Sequence, residues 1–220
     1  MNKNKQIYVL GNGRSLKDID LNSLKHDSIG MNAAYRFWYK INWFPTYYCC
    51  LDKIVIKCHA KNILNLINEN KIQKFFLTKS ILDVYKNLEL NNKIIWIEDV
   101  YLKNEHFDSP HLTTGSGSIR FCKYLGYDNV IIYGIDSSYI NFIPESKKLT
   151  KNVLIITETP KYNPNYFFNE YQQKGDLYQV PNANYITYNC NCEYHKGKLF
   201  SHKNLHSESI KITKLKYNIN

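Results

Sequence analysis

Short apolar runs that stop at glycine, asparagine or aspartate alternate with stretches of helical period from residue 6 to residue 136, and this alternation leaves few folds open. Gln6 to Leu10 is such a run, closed by Gly11, Asn12 and Gly13, and Ser15 to Leu24 then carries apolar positions at helical spacing. A second strand is expected at Ser28 to Met31, a helix at Ala33 to Ile41 and a third strand at Thr46 to Leu51, ending at Asp52. Lys53 to Asn68 reads as one amphipathic helix. Lys74 to Leu77 and Lys93 to Ile97 read as strands flanking a short helix near Ile81 to Leu88, and Thr114 opens a helix through Leu125. Asn129 to Tyr133 is the most strand-like run, and it ends at Gly134 and Asp136. Strands apolar on both sides, separated by helices, imply an α/β protein with a mostly parallel sheet covered on both faces.

The pattern weakens from about Ser137 to Asn184, a Tyr-, Pro- and Asn-rich stretch expected to be a lid or an acceptor-binding segment, before a last strand at Tyr185 to Asn189. Residues 1–206 are therefore read as one domain, with a basic tail over 207–220. No apolar run is long enough to span a bilayer and no signal-peptide core precedes Ile7, so a cytoplasmic location is expected. Six cysteines lack paired spacing; Cys190 and Cys192 beside His195 make at most part of a metal site, and ordinary reduced thiols are favoured. The net charge of +10 calls for an anionic partner, and the scarcity of arginine and of aromatic RNA-binding motifs argues against nucleic acid.

In an open parallel sheet, ligands bind beyond the carboxyl ends of the strands. Gly11, Asn12, Gly13 and Ser15, then Asn32, Asp52, Gly134 and Asp136, fall at such ends, and Thr113, Thr114, Gly115 and Ser116 fall at a helix start. Glycines admit a phosphate to the backbone, yet a tight strand-to-helix corner needs the same glycines without any ligand. Asp52 and Asp136 serve equally as helix caps or as reacting groups. Neither a Walker lysine nor a complete GxGxxG is present, which argues against a P-loop kinase and against ordinary NAD binding.

The run from Ile7 to Leu16, with Met31-Asn32, the Leu112 to Gly115 turn and the segment Leu125 to Asp136, resembles the bacterial sialyltransferases of the Campylobacter type and the wider group that includes flagellin motility-associated factors. The resemblance spans roughly residues 6 to 140. It implies a single Rossmann-like domain that binds a CMP-activated nonulosonic sugar without metal or further cofactor and transfers it with inversion. Gly11, Asn12 and Gly13 would then meet the nucleotide phosphate or ribose, and Asn32 and Asp52 would line the donor pocket. Thr114, Gly115 and Ser116 would contact the sugar carboxylate or the cytidine, with Gly134 and Asp136 closing the strand end beneath.

Such a transfer needs a base for the acceptor hydroxyl and donors for the departing phosphate. The family uses a histidine after the Gly-Ile-Asp strand, but residues 137–194 contain none. Tyr166, Tyr171 and Tyr178 remain for the phosphate, and the base falls to His111, Asp52 or Glu170. The aromatic segment from Asn163 to Tyr178 reads as a substrate lid or as plain packing. The expected function is transfer of a sialic-acid-like or Kdo-like sugar to a glycan or glycolipid acceptor in surface polysaccharide or glycoprotein synthesis. Peripheral contact with the inner face of the membrane and a homo-oligomer are compatible with the basic chain. Two alternatives are a Mg²⁺-dependent pyrophosphokinase resembling the archaeal 6-hydroxymethylpterin enzymes, with Asp52 and Asp136 as ligands, and a non-catalytic nucleotide- or glycan-binding module.

Overall fold

The computed structural model describes residues 5–108, 112–137, 140–179, 188–190, 198–200 and 205–219. Strands β1 (Gln6–Leu10), β2 (Asp27–Met31), β3 (Tyr47–Cys50), β4 (Lys74–Leu77), β5 (Ile94–Trp96) and β6 (Asn129–Tyr133) form one parallel sheet in the order β5-β4-β3-β2-β1-β6. The first strand sits inside the sheet, in register Ile7 with Asp27 on one side and Gln6 with Asn129 on the other. Strand order therefore reverses between β1 and β6, the place beyond whose carboxyl ends open parallel sheets bind their ligands.

The period of two along each strand sorts its side chains onto two apolar layers. Leu10, Tyr48, Cys50 and Phe75 pack on one face with α1 (Tyr35–Ile41), α2 (Lys53–Cys58) and α3 (Ala60–Asn68). Ile7, Val9, Cys49 and Phe76 pack on the other with α4 (Ile97–Val100) and α5 (Thr114–Tyr124). Gly30 has a specific reason to be glycine, because a Cβ there would overlap the ring of the buried Trp38 of α1.

Three helices differ from the sequence expectation. Ser15 to Leu24 is two 3-10 turns, Arg14–Asp18 and Leu21–Ser23, because Ile19 is extended and Asp20 caps a fresh turn by accepting from Asn22 N at 3.0 Å. Residues 79–90 likewise form two 3-10 turns, Lys79–Asp83 and Lys86–Leu90. The helix expected over Lys53 to Asn68 bends at His59, where the buried imidazole meets the Tyr35 hydroxyl at 2.8 Å. Hydrogen bonding continues through the bend, from His59 N to Val55 O and from Ile63 N to His59 O.

Past β6, the weakly patterned stretch contains an antiparallel sheet of β7 (Ser146–Lys148), β8 (Val153–Ile156) and β9 (Leu177–Gln179). Tyr188–Cys190, β10, pairs with Lys198–Phe200, β11; Tyr185 to Thr187, Cys192 and His195 lie outside the described residues. The stretch read as a basic tail contains a helix, α6 (Leu205–Lys216), with Ser209, Ile212 and Thr213 buried. The buried Arg120 of α5 donates to Thr213 Oγ1 at 3.0 Å, which ties the two helices. Among the described residues no helix is long and apolar enough to cross a membrane.

Candidate functional site

The candidate site begins where β1 and β6 end. Gly11 N donates to Tyr133 O at 2.7 Å and Gly13 N to Gly134 O at 2.8 Å, so the two strand ends stay interlocked beyond the last ladder pair. A Cβ on Gly11 would run into the Gly134 carbonyl, and one on Gly13 would run into the Asp136 carboxylate. Gly134 itself has a φ of 68°, the left-handed region that glycine enters freely. Asp136 accepts from both the backbone N–H (3.1 Å) and the hydroxyl of Ser15, and so holds the 3-10 turn. On this side the glycine corner is filled by the chain's own carboxylate, whose charge repels a phosphate.

Asn12 turns the other way, toward Met31 and Tyr171. It is 6% exposed; its Nδ2 donates to Met31 O at 3.3 Å and to the Tyr171 hydroxyl at 3.0 Å, while its Oδ1 has no partner. Asn32, at the end of β2, takes a φ of 53°, and its buried Oδ1 has no partner either. The Asn32 backbone is fixed from below, its carbonyl accepting from the Tyr48 hydroxyl at 2.9 Å. Two buried amide oxygens at neighbouring strand ends are thus left without donors among the described residues. Each costs about 1–3 kcal/mol until an O–H or N–H satisfies it.

The aromatic segment closes over this point. Phe167 N donates to Asn12 O at 3.1 Å, Ala33 N reaches the Tyr171 hydroxyl at 3.4 Å, and the rings of Tyr166 and Tyr171 stack with centroids 3.7 Å apart. Arg36, on the helix that follows Asn32, donates to Tyr171 O at 2.7 Å and grips both oxygens of Asp176, which in turn accepts from Gln173 N at 2.8 Å. That ion pair is nearly enclosed, its side chains 13% and 11% exposed. Cys58, His59 and Asp176 bring one ligand-type atom each within 4.8 Å, a spacing a metal could use. Here, however, Asp176 is committed to Arg36, His59 to Tyr35, and Cys58 Sγ to Leu177 N at 3.4 Å. With every group engaged and a guanidinium alongside, the cluster is a latch for residues 171–177.

The other expected residues divide. Thr113 and Ser116 form a capping box at the start of α5, with Thr113 N to Ser116 Oγ at 3.0 Å and Ser116 N to Thr113 Oγ1 at 3.2 Å. Thr114 Oγ1 accepts from Leu51 N at 3.2 Å, which joins this helix start to the end of β3, and Gly115 faces Ile135 and Ile210. Asp52 caps α2 by accepting from Ile54 N at 2.8 Å and Val55 N at 3.1 Å. Glu170 pairs with Lys40 at 2.7 Å, and that ammonium holds its carboxyl below its ordinary value, which makes it a weaker base. Tyr178 sits apart, its hydroxyl on Asn141 O at 3.3 Å. His111 lies outside the described residues.

His206 lies beyond residues 137–194, the segment in which the resemblance implies a histidine. Ser209 Oγ of α6 donates to Ser116 Oγ at 2.6 Å, at the mouth of the α5 capping box. The exposed His206 stands three residues earlier on the same helix and so shares that face. The apolar pattern of residues 205–216 is weak, so the sequence carries little signal for this helix.

No family model and no curated protein matches the chain. Among solved structures it is similar to the monofunctional alpha-2,3-sialyltransferase Cst-I from Campylobacter jejuni, with a TM-score of 0.51 and 18% identity over 100% of this chain and 75% of that one. The likeness establishes a shared α/β fold with a mostly parallel sheet.

Proposed function

We propose that the chain is a metal-independent glycosyltransferase that takes a CMP-activated sialic-acid-like or Kdo-like sugar and passes it to a surface glycan or glycolipid. The observation that carries this reading is the pair of orphaned oxygens, Asn12 Oδ1 and Asn32 Oδ1, at the neighbouring carboxyl ends of β1 and β2, beside the β1–β6 edge where strand order reverses. Amide oxygens accept hydrogen bonds and repel phosphate oxygens, so they suit the hydroxyls of a ribose or the amino group of a base. The leaving phosphate then belongs to the phenols of Tyr171 and Tyr166, and the acceptor proton to His206. As the acceptor oxygen bonds to the anomeric carbon, the bond to the phosphate oxygen breaks and CMP leaves with that electron pair. A phenol beside the phosphate offsets the charge that builds there.

The Mg²⁺-dependent pyrophosphokinase alternative needs Asp52 and Asp136 as metal ligands. Asp136 has both carboxylate oxygens on Ser15 and Asp52 caps α2 through Oδ1, and neither belongs to a cluster of ligand-type groups among the described residues.

A thermal-shift screen of CMP, UDP, GDP, ATP and NAD, each with and without Mg²⁺, tests the reading. CMP alone is expected to raise Tm without Mg²⁺, and Asn32→Ala to abolish that rise. A shift by another nucleotide in place of CMP removes the donor assignment, and a CMP shift without any hydrolysis of CMP-sugar identifies a binding module.

A further inference from the structure

Outside the Tyr166–Tyr171 stack lies an open cleft of about 370 Å³ lined by Arg14, Lys17, Tyr162, Tyr166, Phe167 and Glu170 among others. Its size falls within the roughly 300–1,000 Å³ of small-molecule sites. Arg14 leaves the glycine turn two residues after Asn12, donates to the Tyr162 hydroxyl and stands 5.0 Å from the centroid of that ring. Among the described residues neither Arg14 nor Lys17 has a carboxylate partner, and the one acidic group on the wall, Glu170, is taken by Lys40. The cleft is therefore cationic, and its aromatic rings suit the C–H faces of sugars. Tyr166 belongs to both places: it lines the cleft and stacks on Tyr171, whose hydroxyl touches Asn12.

We propose that this cleft is the acceptor subsite and that it selects an acidic saccharide, with Arg14 and Lys17 on the anionic group and Tyr162 and Tyr166 against the sugar rings. This assignment rests on the glycosyltransferase reading above. A guanidinium forks onto a carboxylate or phosphate, whereas a neutral hydroxyl gives it little. An incoming acceptor replaces the Tyr162 hydroxyl on Arg14, an exchange that costs little because the contact is exposed. The shared Tyr166 wall leaves the acceptor one ring's thickness from the proposed donor pocket.

The test is saturation-transfer NMR on the full chain without donor, using cellobiouronic acid, cellobiose and glucose 6-phosphate as probes. Cellobiouronic acid is expected to bind about fivefold more tightly than cellobiose, and Arg14→Gln or Lys17→Gln to lower it toward the neutral sugar, with the preference fading at high salt. Stronger binding of glucose 6-phosphate than of the uronic acid supports the same cleft and assigns the anion to a phosphate. Equal binding of cellobiose, or a preference unchanged in both variants, overturns the proposal. CMP-induced thermal shifts in the same samples separate the two readings. Acid-selective binding without a CMP shift leaves the cleft standing and removes the donor assignment, and a CMP shift without acid selectivity does the reverse.

Discussion

The hydroxyl of Tyr171 lies 3.0 Å from Nδ2 of Asn12, a residue 159 positions earlier in the chain. This contact joins the aromatic segment to the turn after β1, and several expected outcomes depend on it.

Tyr171→Phe removes one hydroxyl that faces both Asn12 Nδ2 and Ala33 N. The loss is expected to destabilise the fold by about 1–2 kcal/mol in urea titration. Hydrolysis of CMP-Neu5Ac should fall roughly 100-fold. Full turnover in the variant would take Tyr171 out of the reaction.

Arg36 and Asp176 should behave as one unit. Removing either partner of a nearly enclosed pair strands the other, at a cost of about 3 kcal/mol. The Arg36→Ala, Asp176→Ala double variant should be much less unstable than the sum of the singles. Additive losses in denaturant melts would show that the two do not act as a latch.

His59 makes stability depend on acidity. Burial lowers its pKa from 6.5 to about 4, so the unfolded chain takes up a proton in that interval while the folded chain does not. Stability is full above pH 6.5 and is lost as pH falls toward 4, by an amount on the order of 3 kcal/mol. His59→Gln should flatten the pH dependence of Tm between those limits.

Gly11→Ala and Gly13→Ala should differ although both glycines crowd the same corner. At Gly11 the obstacle is a backbone carbonyl, whereas at Gly13 it is a carboxylate that can swing aside. Gly11→Ala is expected to lower Tm sharply. Gly13→Ala should cost about 1–2 kcal/mol and release Ser15 from Asp136.

His206→Ala tests the base. The side chain is exposed, so stability should fall by no more than about 1 kcal/mol, while acceptor-dependent turnover falls by about 100-fold or more. Unchanged turnover would return the search to His111 and Asp52.

The sheet was legible because its signals are local. Apolar runs such as Tyr47 to Cys50 need only their own residues to announce a strand buried on both faces. The first 3-10 turn after Gly13 was not, since Asp136 reaches its Ser15 from 121 residues away. At the site, the glycines and Asn12 could be read as strand-end residues, but not which way each faced. That Asp136 fills the space beside Gly13 while Asn12 turns to Tyr171 is decided by contacts no spacing reports. Arg36 went unnoticed for the same reason, as one cation within an aromatic helix whose partner lies 140 residues downstream.

Placing the first strand in the interior of the sheet sets a timetable for synthesis. As the chain leaves the ribosome, β1 can pair with β2 almost at once, but its other edge stays open until residues 129–133 have emerged. The clasp of Arg36, Asp176 and Tyr171 waits another forty residues or so. A nascent chain thus completes its scaffold before its candidate site, and a ribosome stalled in between would display a nearly finished sheet with Asn12 still uncovered.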